Sequence, residues 1–209
     1  MTISATTQGL RMGVATSSSR PTVPFDGQVI SETDTDTLQV YKGTAWAPVS
    51  GLTLIKTQTI GTTVSSVAVT GVFSATYDTY KVVINGGVGS ANQDLGVTLG
   101  STATGYYYSY NTATYAGVAS GGGIANGASF GNVGVFNTNV ITMNFDLQNP
   151  FNAEETLISA SRIDPSTSGS TGNVRGYLNN QTSYTDFTLT CASGTITGGT
   201  IYVYGYAKS

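Results

Sequence analysis

From residue 52 onward, short runs of alternating apolar and polar residues recur at roughly ten-residue spacing, a pattern that predicts strand after strand. The runs cover 52–60, 64–73, 80–85, 95–99, 106–110, 133–136, 140–147, 156–163, 174–178, 187–191 and 200–206. Gly-, Asn- and Ser-rich turns separate them, and no i, i+3, i+4 stripe long enough for a helix interrupts them. The pattern predicts an all-β chain whose main domain, 51–209, is an antiparallel, jelly-roll-like β-sandwich.

Residues 1–50 differ in character. They hold three of the five prolines, Pro21, Pro24 and Pro48. The segment from Thr2 to Ser19 is small and polar with no period, and reads as an extended arm ordered by partners. After a turn at Asp26-Gly27, strands are expected at 28–32, 38–41 and 44–46, a three-stranded meander with turns at Asp34-Thr-Asp36 and Lys42-Gly43. So small a sheet leaves Phe25, Ile30, Leu38, Tyr41 and Trp46 too exposed to stand alone, which marks these five as candidate docking and trimerisation residues.

Composition narrows the function. Only 9% of the 209 residues are charged, and the formal net charge is −3, so no basic field exists to displace counterions from nucleic acid. With 39% hydrophobic residues the chain is not of the disordered type. The first twenty residues lack the apolar core of a secretory signal, and no run approaches a membrane helix, so synthesis in a cytosol without membrane insertion is expected. The single cysteine, Cys191, sits in an alternating run and reads as a small core hydrophobe.

Candidate chemistry is sparse. There is no histidine, which removes the usual general base and the commonest metal ligand. Gly127-Ala-Ser129-Phe-Gly131 spells a nucleophile elbow, but that motif needs a strand, a helix and a proton-accepting His, so a glycine-rich turn is the better reading. Among the carboxylates, Asp146, Glu154, Glu155, Asp164 and Asp186 are the only candidates for a glycosidase pair, and their positions favour solvated strand ends. Asp34 and Asp36 fall short of a calcium loop. No catalytic residue, metal site or cofactor is expected.

The most distinctive segment is Tyr106-Tyr-Tyr-Ser-Tyr110-Asn-Thr-Ala-Thr-Tyr115, followed by the glycine-rich stretch 117–127, expected to be the longest loop. On a strand Tyr106, Tyr108 and Tyr110 share one face and Tyr107 takes the other. Tyrosine couples a rigid apolar ring to a hydrogen-bonding tip, which suits glycan stacking and protein interfaces alike. Tyr106, Tyr107, Tyr108, Tyr110 and Tyr115 are therefore the candidate receptor or interface contacts, with a core face and an inter-subunit face as the alternative.

The run from Ser17 through Arg20-Pro21-Thr-Val-Pro-Phe25-Asp-Gly-Gln28 and Asp36-Thr-Leu-Gln-Val-Tyr41-Lys-Gly-Thr-Ala-Trp46 resembles a short module of tail-fibre, head-fibre and related virion proteins of tailed bacteriophages, cyanobacterial ones included. Gly51-Leu-Thr-Leu-Ile-Lys-Thr-Gln and Tyr177-Leu-Asn-Asn-Gln-Thr-Ser-Tyr look like the β-rich domain that often follows it. The resemblance implies a homotrimeric virion component whose N-terminal arm grips other virion proteins and whose C-terminal domain projects outward toward a host surface glycan. It leaves tail and head locations open: a short tail fibre or receptor-binding protein is the first expectation, a head fibre or capsid-decoration protein the alternative, and a polysaccharide depolymerase the third.

Overall fold

The computed structural model describes residues 12–49 and 51–207. The chain divides between Thr53 and Leu54 into two compact units, and no helix occurs among the described residues.

The first unit is a four-stranded sheet, β1 (Gly13–Ala15), β2 (Val29–Glu32), β3 (Thr37–Tyr41) and β4 (Trp46–Pro48), in the order β1-β2-β3-β4. The expected meander is present as β2, β3 and β4. The expected arm differs: its residues 13–15 are a strand lying parallel to β2, with Gly13 opposite Ile30 and Ala15 opposite Glu32. The cause lies in Ser17 and Arg20. Ser17 donates its N–H (2.9 Å) and hydroxyl to Asp34, and Arg20 grips Glu32 at 2.5 and 3.0 Å, so the segment is tied down by side chains that hydropathy does not register. The remaining arm residues, 1–11, lie outside the described residues.

Ile30 is the one fully buried apolar side chain among the described residues of this unit, at 1% exposure. It fills the interior and is not a docking contact. Phe25 and Leu38 stay exposed, at 69% and 41%, while Tyr41 and Trp46 are half-buried against each other, ring centroids 5.5 Å apart. The unit's other buried groups are polar, Glu32 and Gln39.

The second unit runs β5 (Leu52–Thr59), β6 (Ser66–Val69), β7 (Thr79–Asn85), β8 (Val88–Gly89), β9 (Gln93–Leu99), β10 (Tyr106–Thr114), β11 (Ala119–Gly127), β12 (Phe130–Phe136) and β13 (Ile141–Gln148). It continues with β14 (Thr156–Ile163), β15 (Ser170–Leu178), β16 (Phe187–Cys191), β17 (Ile196–Thr197) and β18 (Thr200–Tyr206). Each of the expected runs overlaps one of these strands. Their pairing is jelly-roll-like: β5-β18-β7-β13 form one layer of a continuous twelve-stranded sheet and β6-β16-β9-β12 the other, with β9 and β12 neighbours in the same layer. β13 joins the layers, with Ile141 to Met143 paired to β12 and Asn144 to Gln148 paired to β7. Two hairpins inserted into this frame, β10–β11 and β14–β15, widen the first sheet beyond β13 in the order β14-β15-β10-β11.

The core lies between the layers. Phe145 on β13 meets Phe187 on β16 edge-to-face at 6.0 Å, and Tyr106 on β10 meets Phe130 on β12 at 4.8 Å. Leu95, Val97 and Leu99 on β9, with Tyr80, Val82 and Ile84 on β7, follow the period-2 alternation of a sheet with one face buried. Cys191 is half-buried against this cluster, and burial pushes its thiol up from its ordinary value.

Candidate functional site

The tyrosine-rich run forms β10, and its two faces have separate fates. Tyr106 is 0% exposed. Its hydroxyl accepts the Leu99 N–H at 2.8 Å and donates to the Thr102 carbonyl at 3.1 Å, and burial pushes its phenol up to about 12. Tyr106 is a core residue, which removes it from the candidate surface contacts. Tyr108 and Tyr110 follow it on the same face and pack, half-buried, against the core. Burial also raises the Tyr108 phenol. Tyr115 sits at 56% exposure beyond the end of β10, its hydroxyl donating to the Asp164 carbonyl at 2.9 Å.

The glycine-rich stretch is not the expected loop. Residues 119–127 are β11, an edge strand antiparallel to β10, and the connecting turn ends at Gly117, whose φ of 81° suits glycine. Loop composition misled because glycine here serves contact. Gly122 lies opposite Tyr110, and a Cβ there would stand 2.7 Å from the Tyr110 hydroxyl, so the ring lies across bare backbone. A large aromatic thus replaces the side chains the strand lacks.

The outward face of the widened sheet holds what a partner can reach. Tyr107 on β10 and Tyr177 on β15 are directly opposite and stack, ring centroids 5.3 Å apart and planes 13° apart. Two residues along, Ser109 faces Arg175, and the same row continues through Ser159 on β14 to Asp146 on β13 and Lys81 on β7. Gly176 between Arg175 and Tyr177 lets the strands close: a Cβ there would meet the Tyr107 carbonyl at 2.3 Å and the Tyr108 Cβ at 2.5 Å. Two hollows open beside these residues. One, of about 460 Å³, is lined by Tyr107, Tyr177, Ser109, Gly123, Ile124 and Arg175. The other, of about 220 Å³, shares Arg175 and Gly176 and is closed by Asp146, Gln148, Leu157 and Ser159. The larger lies in the range that small ligands fill.

The charged side chains of the second unit are mostly spoken for. Asp146 accepts the Tyr206 hydroxyl at 2.8 Å and faces Lys81 Nζ at 3.5 Å; burial and that carboxylate together raise the Tyr206 phenol. Arg162 pairs with Asp94 at 2.7 Å. Lys56 donates to the Thr70 carbonyl at 2.6 Å.

The carboxylates considered for sugar chemistry serve local structure instead. Glu154 accepts from Asn149 at 3.1 Å, Asp164 accepts the Ser166 N–H at 3.1 Å, and Asp186 accepts the Gly71 N–H at 2.5 Å. Glu155 is exposed in the turn before β14. Ser129 lies in a bend between β11 and β12, two strands, so the geometry of a nucleophile elbow is absent there. Asp34 is engaged by Ser17, and Asp36 holds a turn with φ 50°. No cluster of three metal-binding side chains occurs among the described residues.

Sequence reasoning named Tyr107 and missed Tyr177 and Arg175, which lie about 70 residues downstream and reach Tyr107 only through strand pairing. The alternation within 174–178 does place Arg175 and Tyr177 on one face, the only local signal available. No family model, curated protein or solved structure matches the chain.

Proposed function

We propose that this chain is a non-enzymatic attachment component of a tailed-bacteriophage virion, a short trimeric tail fibre or receptor-binding protein. The observation that carries the reading is the open hollow beside the stacked Tyr107 and Tyr177, set on the broad outward face of a jelly roll. Tyrosines that flank an open hollow on a rigid sheet bind by stacking and hydrogen bonding, at little entropic cost. No general base or activated nucleophile accompanies them, so the surface is suited to holding a ligand and not to converting it.

The small N-terminal unit supports the docking half of this reading. Val23, Phe25 and Leu38 are exposed at 90%, 69% and 41%, apolar surface that a virion partner or the other subunits of a trimer would cover. Under this reading the protein is made in the host cytoplasm and resides on the particle surface.

The test is to label the C-terminus on intact particles and count copies by imaging. A few copies at the tail, with the purified protein sedimenting as a trimer and binding host cells, supports the proposal. An even coat over the head reassigns the chain to capsid decoration, and absence from particles overturns the virion reading.

A further inference from the structure

Every described cation of residues 54–209 has a protein partner except one. Lys56 donates to Thr70, Lys81 faces Asp146 and Arg162 pairs with Asp94, whereas Arg175 has neither an ion pair nor a side-chain hydrogen bond among the described residues and is exposed. It stands where both hollows meet, two residues from Tyr177 on the same face. The nearest acid of its row, Asp146, is two strands away, about 10 Å at the Cα positions. Lys81 and Tyr206 take that carboxylate from the other side. The larger hollow contains no acidic residue.

An unengaged guanidinium with tyrosine rings beside it matches one kind of ligand. The planar fork presents paired N–H donors to a carboxylate or phosphate. The apolar flank of a pyranose ring can pack on Tyr107 or Tyr177 while its hydroxyls meet Ser109, and the 460 Å³ hollow takes one or two sugar units. Because the whole chain is weakly acidic, with net charge −3, attraction of an anion must come from this local charge and not from a long-range field.

We propose that the hollow flanked by Tyr107, Tyr177 and Arg175 binds an anionic saccharide, its carboxylate or phosphate held by Arg175 and its ring stacked on the tyrosines. This deepens the attachment reading and rests on it for biological meaning, but the binding itself is testable on the purified protein.

The test uses the full chain and titrates it by calorimetry with galacturonate oligomers, phosphorylated mannose oligomers and neutral galactose oligomers. The expected result is binding of an anionic series with the neutral series at least about tenfold weaker, and a loss of about 10- to 100-fold for that anionic series in Arg175→Gln. Which anionic series binds tells carboxylate from phosphate. Raising the ionic strength should weaken the anionic complex and leave any neutral one unchanged. Tyr177→Ala should weaken every saccharide that binds. Equal binding of neutral and anionic series, unchanged in Arg175→Gln, overturns the inference and leaves attachment standing. No saccharide binding, together with host-cell binding unaffected by Arg175→Gln and Tyr177→Ala, overturns the inference and moves any receptor contact off this face. Circular dichroism on each variant confirms the fold, which the exposure of Arg175 protects.

Discussion

Tyr107 and Tyr177 occupy directly opposed positions on β10 and β15 and stack with their ring planes 13° apart. The pair joins an inserted hairpin from one half of the chain to an inserted hairpin from the other, at the point where the outward hollow opens. Replacing either ring by alanine should cost about 0.5–1.5 kcal/mol, and the double variant should cost less than the sum because the rings interact with each other. Urea denaturation of the two single variants and the double variant measures this, and strict additivity would falsify the stacked contact. Host-cell binding should fall in all three.

Tyr106, one position earlier, should behave in the opposite way. Tyr106→Phe leaves the buried Leu99 N–H without its acceptor, at a cost of about 1–3 kcal/mol, while host-cell binding stays at the parental level. A variant that kept its stability but lost binding would return Tyr106 to the contact surface.

Alkaline stability follows from the same residue. Its folded phenol titrates at about 12, above the ordinary 10.0. Below the ordinary value both folded and unfolded states keep the proton, and the contribution is fully present. Between the two values the unfolded state loses its proton first, so stability falls as pH rises from about 10 toward 12. Tyr106→Phe should flatten that part of the curve, read as the denaturation midpoint against pH.

The N-terminal unit should respond at the acid end. Arg20, hydrogen-bonded to Glu32, holds that carboxyl below its ordinary value of 4.5. The pair's stabilisation is present above the ordinary range and disappears as pH falls through the lowered value. Arg20→Met leaves the buried Glu32 without its cation, with the Thr35 hydroxyl at 2.8 Å as its remaining side-chain donor. Because Arg20 is one-third exposed, the expected cost is about 1–3 kcal/mol, below that of a fully buried pair. Hydrogen exchange should show the loss confined to the first unit and leave β5 to β18 protected as before.

Glycine positions along the hairpins separate contact from composition. Gly176→Ala sets a Cβ against the Tyr107 carbonyl, a backbone atom, and should cost at least about 1–3 kcal/mol. At Gly123 the nearest atom to a new Cβ is 3.5 Å away, so Gly123→Ala should stay within about 0.5 kcal/mol. Thermal denaturation of the two variants decides whether the glycines of the two hairpins, Gly123 on β11 and Gly176 on β15, are interchangeable, as loop residues would be.

Alternation alone determined most of the strand map, since a one-sided sheet writes its period directly into the chain. Thr156–Ile163, Phe187–Cys191 and Thr200–Tyr206 coincide with the runs read from hydropathy. The absence of helix, the core role of alternating Val, Ile and Leu, and the two faces of β10 were legible for the same reason. β1 and β11 were not, because Gly13–Ala15 is too short to show a period and β11 is mostly glycine and alanine; β1 is held by Ser17, Arg20 and a parallel partner, β11 by Tyr110 laid over Gly122. Only the tertiary structure decided that Arg175 and Tyr177 stand beside Tyr107, that Tyr106 is interior and that Ile30 is interior too. The place of Tyr177 and Arg175 depends on β10 pairing with β15 about 70 residues away, which the packing of the whole sandwich settles, and the burial of Ile30 depends on β1 and β3 flanking β2 within the first unit; neither balance is contained in a single strand's sequence.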